Sequence, residues 1–170
     1  MKKNIMWLAL AACLFVATPV MAKEGLYAGL FIPNASISGV SGSAGSGLGI
    51  RAGSGFSRYF SLEGVYAETG DLKTAAVDFK VNFPLTSLDS SNVMTVEPYL
   101  NLGYGMYTFG NSSTDSGSGT RVGFGVEVYL FRELSVQAGW TKANATFKGS
   151  SADYGVDVKT MDVGLIYHFL

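Results

Sequence analysis

The stretch DVGLIYHFL, residues 162–170, alternates without interruption: Val163, Leu165, Tyr167 and Phe169 occupy every second position, and Asp162, Gly164, Ile166 and His168 fill the others. A period of two belongs to a β-strand with two unlike faces. The same period recurs upstream. Val77, Phe79, Val81 and Phe83 alternate with Asp78, Lys80 and Asn82. Val96, Pro98, Leu100, Leu102, Tyr104 and Met106 alternate with Glu97, Tyr99, Asn101, Gly103 and Gly105. Val122, Phe124, Val126, Val128 and Leu130 alternate with Gly123, Gly125, Glu127 and Tyr129.

In a water-soluble sandwich the apolar face of such strands turns inward. Three features point the other way here. The second face is rich in glycine and carries isolated charges: Arg51, Glu63, Asp78, Lys80, Glu97, Arg121, Glu127 and Asp162. The alternating runs are long, matching the ~9–11 residues that a tilted strand needs to cross a bilayer. Aromatics gather near the strand ends, with Tyr59, Phe60, Phe83, Phe131, Tyr167 and Phe169 at one end and Tyr66, Tyr107, Phe109 and Trp140 toward the other. Aromatic girdles at both interfaces mark transmembrane barrels. The mean hydropathy is slightly positive, yet charges are scattered through the apolar stretches and no segment after the N-terminal run approaches an uninterrupted transmembrane helix.

Eight strands are predicted, over residues 25–33, 46–57, 59–68, 73–83, 95–108, 119–131, 133–143 and 156–169. Ser57-Arg58 and Arg132-Glu133 read as tight turns. PNASISGVSGSAG, ETGDLK, FGNSSTDSGSG and NATFKGSSADYG read as longer polar loops. Short turns on one side and longer loops on the other are the habit of bacterial barrels. PLTSLDSSNVM, spanning the 84–94 connection, is long for a turn and breaks that alternation. Lipid offers no partner for a free N–H or C=O, so the sheet is expected to close with its last strand against its first. The fold class is therefore all-β, a closed antiparallel eight-stranded transmembrane β-barrel.

The N-terminus is expected to be removed. MKKNIMWLALAACLFVATPVMA has two lysines, a short apolar run and Val20-Met21-Ala22, the layout of a cleaved signal peptide over residues 1–22, with the barrel domain over 23–170. The run from Ile5 to Ala17 is short for a spanning helix, which needs ~20 apolar residues. Leu10-Ala11-Ala12-Cys13 resembles a lipobox, but apolar residues follow the cysteine, so Cys13 reads as part of the apolar run. Cleavage removes Lys2 and Lys3 and no acid, moving the formal charge from −1 to −3, and takes away the single cysteine. The exported chain is thus expected to hold no disulfide. Its balanced, mildly acidic charge argues against a nucleic-acid partner. One histidine and no remaining cysteine leave little for a zinc site, and no cofactor is expected.

These residues resemble the small eight-stranded outer-membrane β-barrel family of Gram-negative bacteria, such as the outer-membrane protein A membrane domain and outer-membrane protein X. Asp162-x-Gly164-x-x-Tyr167-x-Phe169 is similar to that family's C-terminal insertion signal, from which Leu170 departs by following the terminal aromatic. YFSLEGVY (59–66) and EPYLNLGYG (97–105) resemble the family's third- and fifth-strand patterns. The resemblance spans 25–169 and adds no following peptidoglycan-binding domain. It implies integral location in the bacterial outer membrane, outer-membrane lipid and lipopolysaccharide as surroundings, periplasmic chaperones and the barrel assembly machinery as partners during insertion, and a monomer.

An eight-stranded barrel has a lumen that side chains just fill. Arg51, Lys80 and Arg121, against Glu63, Asp78, Glu97 and Glu127, are expected to form a structural lumen charge network, because buried charges must be paired. A small ion path is the rival reading. Nucleophilic catalysis needs a serine, a histidine base and an orienting acid. The only histidine is His168, with no serine beside it in sequence, so no catalytic residue is predicted; a lipid A-modifying enzyme is the more remote alternative. Glu68 and Asp71 read as solvated rim charges. GVSGSAGSG lacks the following helix that a phosphate-cradling loop requires. The expected function is non-enzymatic, a structural and surface-interaction role with short outer loops.

Overall fold

A computed structural model describes residues 25–38, 44–85, 95–110, 115–148 and 153–169. The expected leader, Cys13, Leu170 and most of the 84–94 connection lie outside the described residues. Eight strands run in order: β1 (Gly25–Ser38), β2 (Gly47–Ser57), β3 (Phe60–Thr69), β4 (Leu72–Asn82), β5 (Thr95–Phe109), β6 (Asp115–Tyr129), β7 (Leu134–Lys148) and β8 (Asp153–His168). Each pairs antiparallel with its neighbours in sequence, and β8 pairs with β1 to close the barrel. The closing ladder runs from Tyr27↔His168 to Ser38↔Asp157. Closure leaves no sheet edge, so every strand finds a partner on both sides.

The barrel is inside-out along most of its length. Leu30, Leu48 and Leu102 are 68%, 75% and 60% exposed, whereas Arg51 and Lys80 are 4% and 2% exposed. One end carries the first residues of β1, the last of β8 and the Arg58–Tyr59 turn, and is called here the turn end. Ser57 shapes that turn, its Oγ accepting from the N–H groups of Tyr59 and Phe60 at 3.2 Å each. Leu130–Glu133 turns at the same end, held by Leu130 N–H donating to Leu134 C=O at 2.9 Å. Exposed Phe56, Phe60 and Phe79 stack there with centroids 5.7–6.3 Å apart.

Toward the opposite, loop end, the two faces exchange chemistry without changing which residues point outward. On β1, outward Leu30 and Ile32 give way to Asn34, Ser36 and Ser38, while inward positions pass to Ala35 and Ile37. On β8, outward Leu165, Val163 and Met161 give way to Lys159 and Asp157, while Val158 and Val156 lie inside. The strands thus leave the apolar belt and continue as a small water-facing barrel with an apolar core.

This exchange corrects several expected boundaries. β1 runs to Ser38, β6 starts at Asp115, β7 reaches Lys148 and β8 starts at Asp153. Those segments look like loops because their outward residues are polar. Pro33 sits where the β1–β2 ladder, ending at Phe31↔Gly49, gives way to an isolated bridge between Asn34 and Ser46, as suits a residue without an N–H. ETGDLK, expected as a loop, is a two-residue turn at Gly70 and Asp71 between paired Thr69 and Leu72. Gly70 has φ 55, a conformation that glycine adopts freely. Tyr107, expected in an outer girdle, is 2% exposed and inside the barrel, with Phe109 packed on the same core.

Candidate functional site

The lumen gathers the chemistry of the molecule, because β alternation sends every second side chain inward. Its charged middle layer is built on Arg51, Glu63, Lys80, Asp78, Arg121 and Asp162. Arg51 places one nitrogen 2.5 Å from Asp162 Oδ1 and another 3.6 Å from Glu63 Oε1. Its guanidinium lies 4.2 Å from the Phe31 ring centroid. Lys80 Nζ is 3.4 Å from Glu63 Oε2, donates to Gln137 Oε1 at 3.0 Å, and sits 4.4 Å from the Tyr99 ring centroid. Gln137 in turn donates to the Tyr99 hydroxyl at 2.7 Å. Arg121 Nε is 3.1 Å from Asp78 Oδ1, an ion pair by distance but out of line for a hydrogen bond. Asn101 donates to the other Asp78 oxygen at 3.3 Å.

The expected cations and Glu63 and Asp78 therefore meet. Asp162, read in sequence mainly as part of a terminal motif, joins them as the short partner of Arg51. Gly164 of the same motif lies opposite Phe31, and a Cβ there would stand 2.6 Å from the Phe31 side chain. Tyr167 and Phe169 face outward, 50% and 53% exposed, with rings edge-on at 5.2 Å.

Glu97 and Glu127 lie lower, directly across β5 and β6 from one another and both buried. Glu127 Oε1 accepts from Ser135 Oγ at 2.6 Å and faces His168 Nε2 at 2.9 Å. Ser135 Oγ is 3.1 Å from the same His168 nitrogen. Sequence distance hid this serine, which β7–β8 pairing brings close to His168 by placing it opposite Ile166, two residues before the histidine. The trio lacks the geometry of a nucleophile. A catalytic acid orients histidine from the ring nitrogen opposite the serine, whereas here acid and serine share one nitrogen. The serine proton goes to the carboxylate, and Ser135 is fully buried. Tyr27 and Tyr129 flank His168 with ring centroids 5.6 and 5.0 Å away.

Above the charged layer, Leu72, Tyr107, Ala143, Ala145, Phe147, Val156 and Val158 pack as the apolar core of the loop end. The Phe147 ring is 5.5 Å from Phe109 and 5.8 Å from Tyr154. Small cavities of about 30 and 20 Å³ lie in the lumen, and Lys80 lines both. Among the described residues, no group of three or more His, Cys, Asp or Glu side chains is placed to hold a metal ion.

At the rims, Glu68 pairs with Lys73 across β3 and β4 at 3.6 Å and accepts from the Tyr66 hydroxyl, while Asp71 is exposed in its turn. Tyr104 donates to Ser118 at 2.7 Å. Both tyrosine hydroxyls are exposed and reach toward the loop end, as interfacial tyrosines do when their rings sit in the apolar belt.

Comparison with known proteins agrees with this architecture. No curated protein matches the chain in sequence. Among solved structures, Neisserial surface protein A is similar over 86% of this chain and 98% of its own, at 18% identity and a TM-score of 0.62. A designed transmembrane β-barrel is similar over 89% of this chain and all of its own, at 14% identity and a TM-score of 0.57. The attachment invasion locus protein of Yersinia pestis is similar over 86% and 97%, at 16% identity and a TM-score of 0.50. The family model for the outer membrane protein β-barrel domain matches residues 8–169. The chain, with its apolar belt, polar lumen and closed eight-stranded sheet, thus belongs to the outer membrane protein β-barrel family and is an integral protein of the bacterial outer membrane.

Proposed function

We propose that the protein is a non-enzymatic, non-conducting barrel that serves the outer membrane as a rigid structural element and carries short surface loops. The observation that carries this reading is the stacking of two filled layers: a paired charge network, and above it an apolar core around Phe147. Water and ions meet paired charges first and then a dry layer. In this reading lipopolysaccharide surrounds the belt, while chaperones and the barrel assembly machinery act only during insertion through Asp162, Gly164, Tyr167 and Phe169. The shared histidine nitrogen in the Ser135–Glu127–His168 trio supports the absence of acyl-transfer chemistry.

Planar-bilayer recording of the refolded protein tests the proposal. The expected result is no discrete current steps in salt. Regular steps with a defined size would replace it by a small pore, a reading favoured by one feature, the position of Lys80 between the two lumen cavities.

A further inference from the structure

At the loop end the outward positions of β6, β7, β8 and β1 form three successive rows. The first is apolar over most of its length: Phe124 pairs with Trp140, Trp140 with Met161, and only Asn34 at its end is polar. The second contains Val122, Lys142, Lys159 and Ser36. The third is polar, with Thr120, Asn144, Asp157 and Ser38. The boundary between lipid and water therefore falls at the two lysines, directly beyond the Phe124–Trp140 ring pair at 5.4 Å.

Lys142 and Lys159 stand directly opposite one another across β7 and β8. Like charges in that position repel. Elsewhere on the same rim the placement is the reverse, since Lys73 stands directly opposite Glu68 and pairs with it at 3.6 Å. Asp157 neutralises only one of the two lysines, Lys142, at 3.1 Å. Lys159 is exposed and forms no ion pair among the described residues.

We propose that Lys142 and Lys159 form a binding site for the phosphate of an anionic outer-leaflet lipid, with the acyl chains lying on Trp140, Met161 and Phe124. A phosphate between the two ammonium groups removes their repulsion and gains charge-assisted hydrogen bonds. Ser36, next to Lys159 across β1 and β8, offers a hydroxyl to the same group. Loops of bacterial barrels face outward, so the lipid in reach carries its phosphate on the glycolipid of the outer leaflet. The site extends the structural role of the barrel but does not rest on a closed lumen.

The test is equilibrium binding of bisphosphorylated lipid A to the full chain, refolded in phosphatidylcholine nanodiscs, with dephosphorylated lipid A alongside. The phosphorylated form is expected to bind more tightly. Lys159→Gln is expected to weaken it about fivefold and the Lys142→Gln/Lys159→Gln double variant about 25-fold, following the attraction of each lysine near a charged surface. Lys159→Arg should retain binding, and Lys73→Gln on the far side should leave it unchanged. Equal binding of the two lipids would overturn the site. So would an equal effect of Lys73→Gln and Lys159→Gln, which would reveal diffuse attraction to the whole rim. Heat-dependent gel mobility, the same in every variant, separates loss of binding from loss of fold.

Discussion

Arg51 of β2 and Asp162 of β8 meet at 2.5 Å although 111 residues and one intervening strand separate them. The strand between them is β1, where Phe31 pairs with Gly49 on one side and Gly164 on the other. Those two glycines leave room for the ring, and the Arg51 guanidinium lies over it. The polar residue and the glycine of the terminal motif thus act on the lumen, while its aromatics act on the belt.

Removing one partner of that pair leaves a buried charge short of its strongest contact. Asp162→Ala is expected to lower stability by about 3–5 kcal/mol. Arg51→Met combined with Asp162→Leu should lose much less, because no unpaired charge remains. Urea unfolding of barrels refolded into vesicles measures both, and a double variant no more stable than Asp162→Ala would refute the coupling.

Gly164→Val places a branched side chain against Phe31. Overpacking of this kind costs about 1–3 kcal/mol, and the closing strand feels it directly. The fraction of protein that migrates as the compact unboiled form should fall, and Phe31→Leu should restore part of it.

Phe147→Ala hollows the apolar layer at the loop end. Large-to-small changes at such a buried aromatic cost about 3–5 kcal/mol. Phe124→Ala should cost less, because lipid chains fill the space its ring leaves on the belt. Equal losses in unfolding experiments would mean that the outer core is packed no more tightly than the lipid-facing belt.

Lys80→Ala joins the two lumen cavities but leaves the apolar layer in place. Bilayer recording should still show no current steps. Lys80→Ala with Phe147→Ala should show them, since both barriers are then reduced. Steps in Lys80→Ala alone would place the whole barrier at the lysine.

Ser135→Ala removes a buried hydroxyl from Glu127 and should cost about 1–3 kcal/mol. Neither Ser135→Ala nor His168→Gln should alter the lipid A pattern of cells that overproduce the protein, as read by mass spectrometry. A pattern change in wild type that both substitutions abolish would establish catalysis by the trio.

The sequence by itself determined the faces of the strands within the membrane. Val77 and Phe79 outside, Asp78 and Lys80 inside, follow from a period of two and from the cost of unpaired backbone in lipid, both local or solvent-level constraints. The strand number and the closure of the sheet were legible for the same reason. The extensions beyond the membrane were not, because outward Ser36, Asn144 and Asp157 look like loop residues until a water-facing barrel gives them a wall to occupy. Tyr107 shows the same limit: its position on the strand specifies a face, but only the inversion of chemistry at the loop end makes that face an apolar core. The partners of each charge were decided by the tertiary structure alone. Arg51 reaches Asp162, Ser135 reaches Glu127, and Lys142 stands against Lys159 because of strand register and barrel curvature, which bring together residues that no local spacing relates.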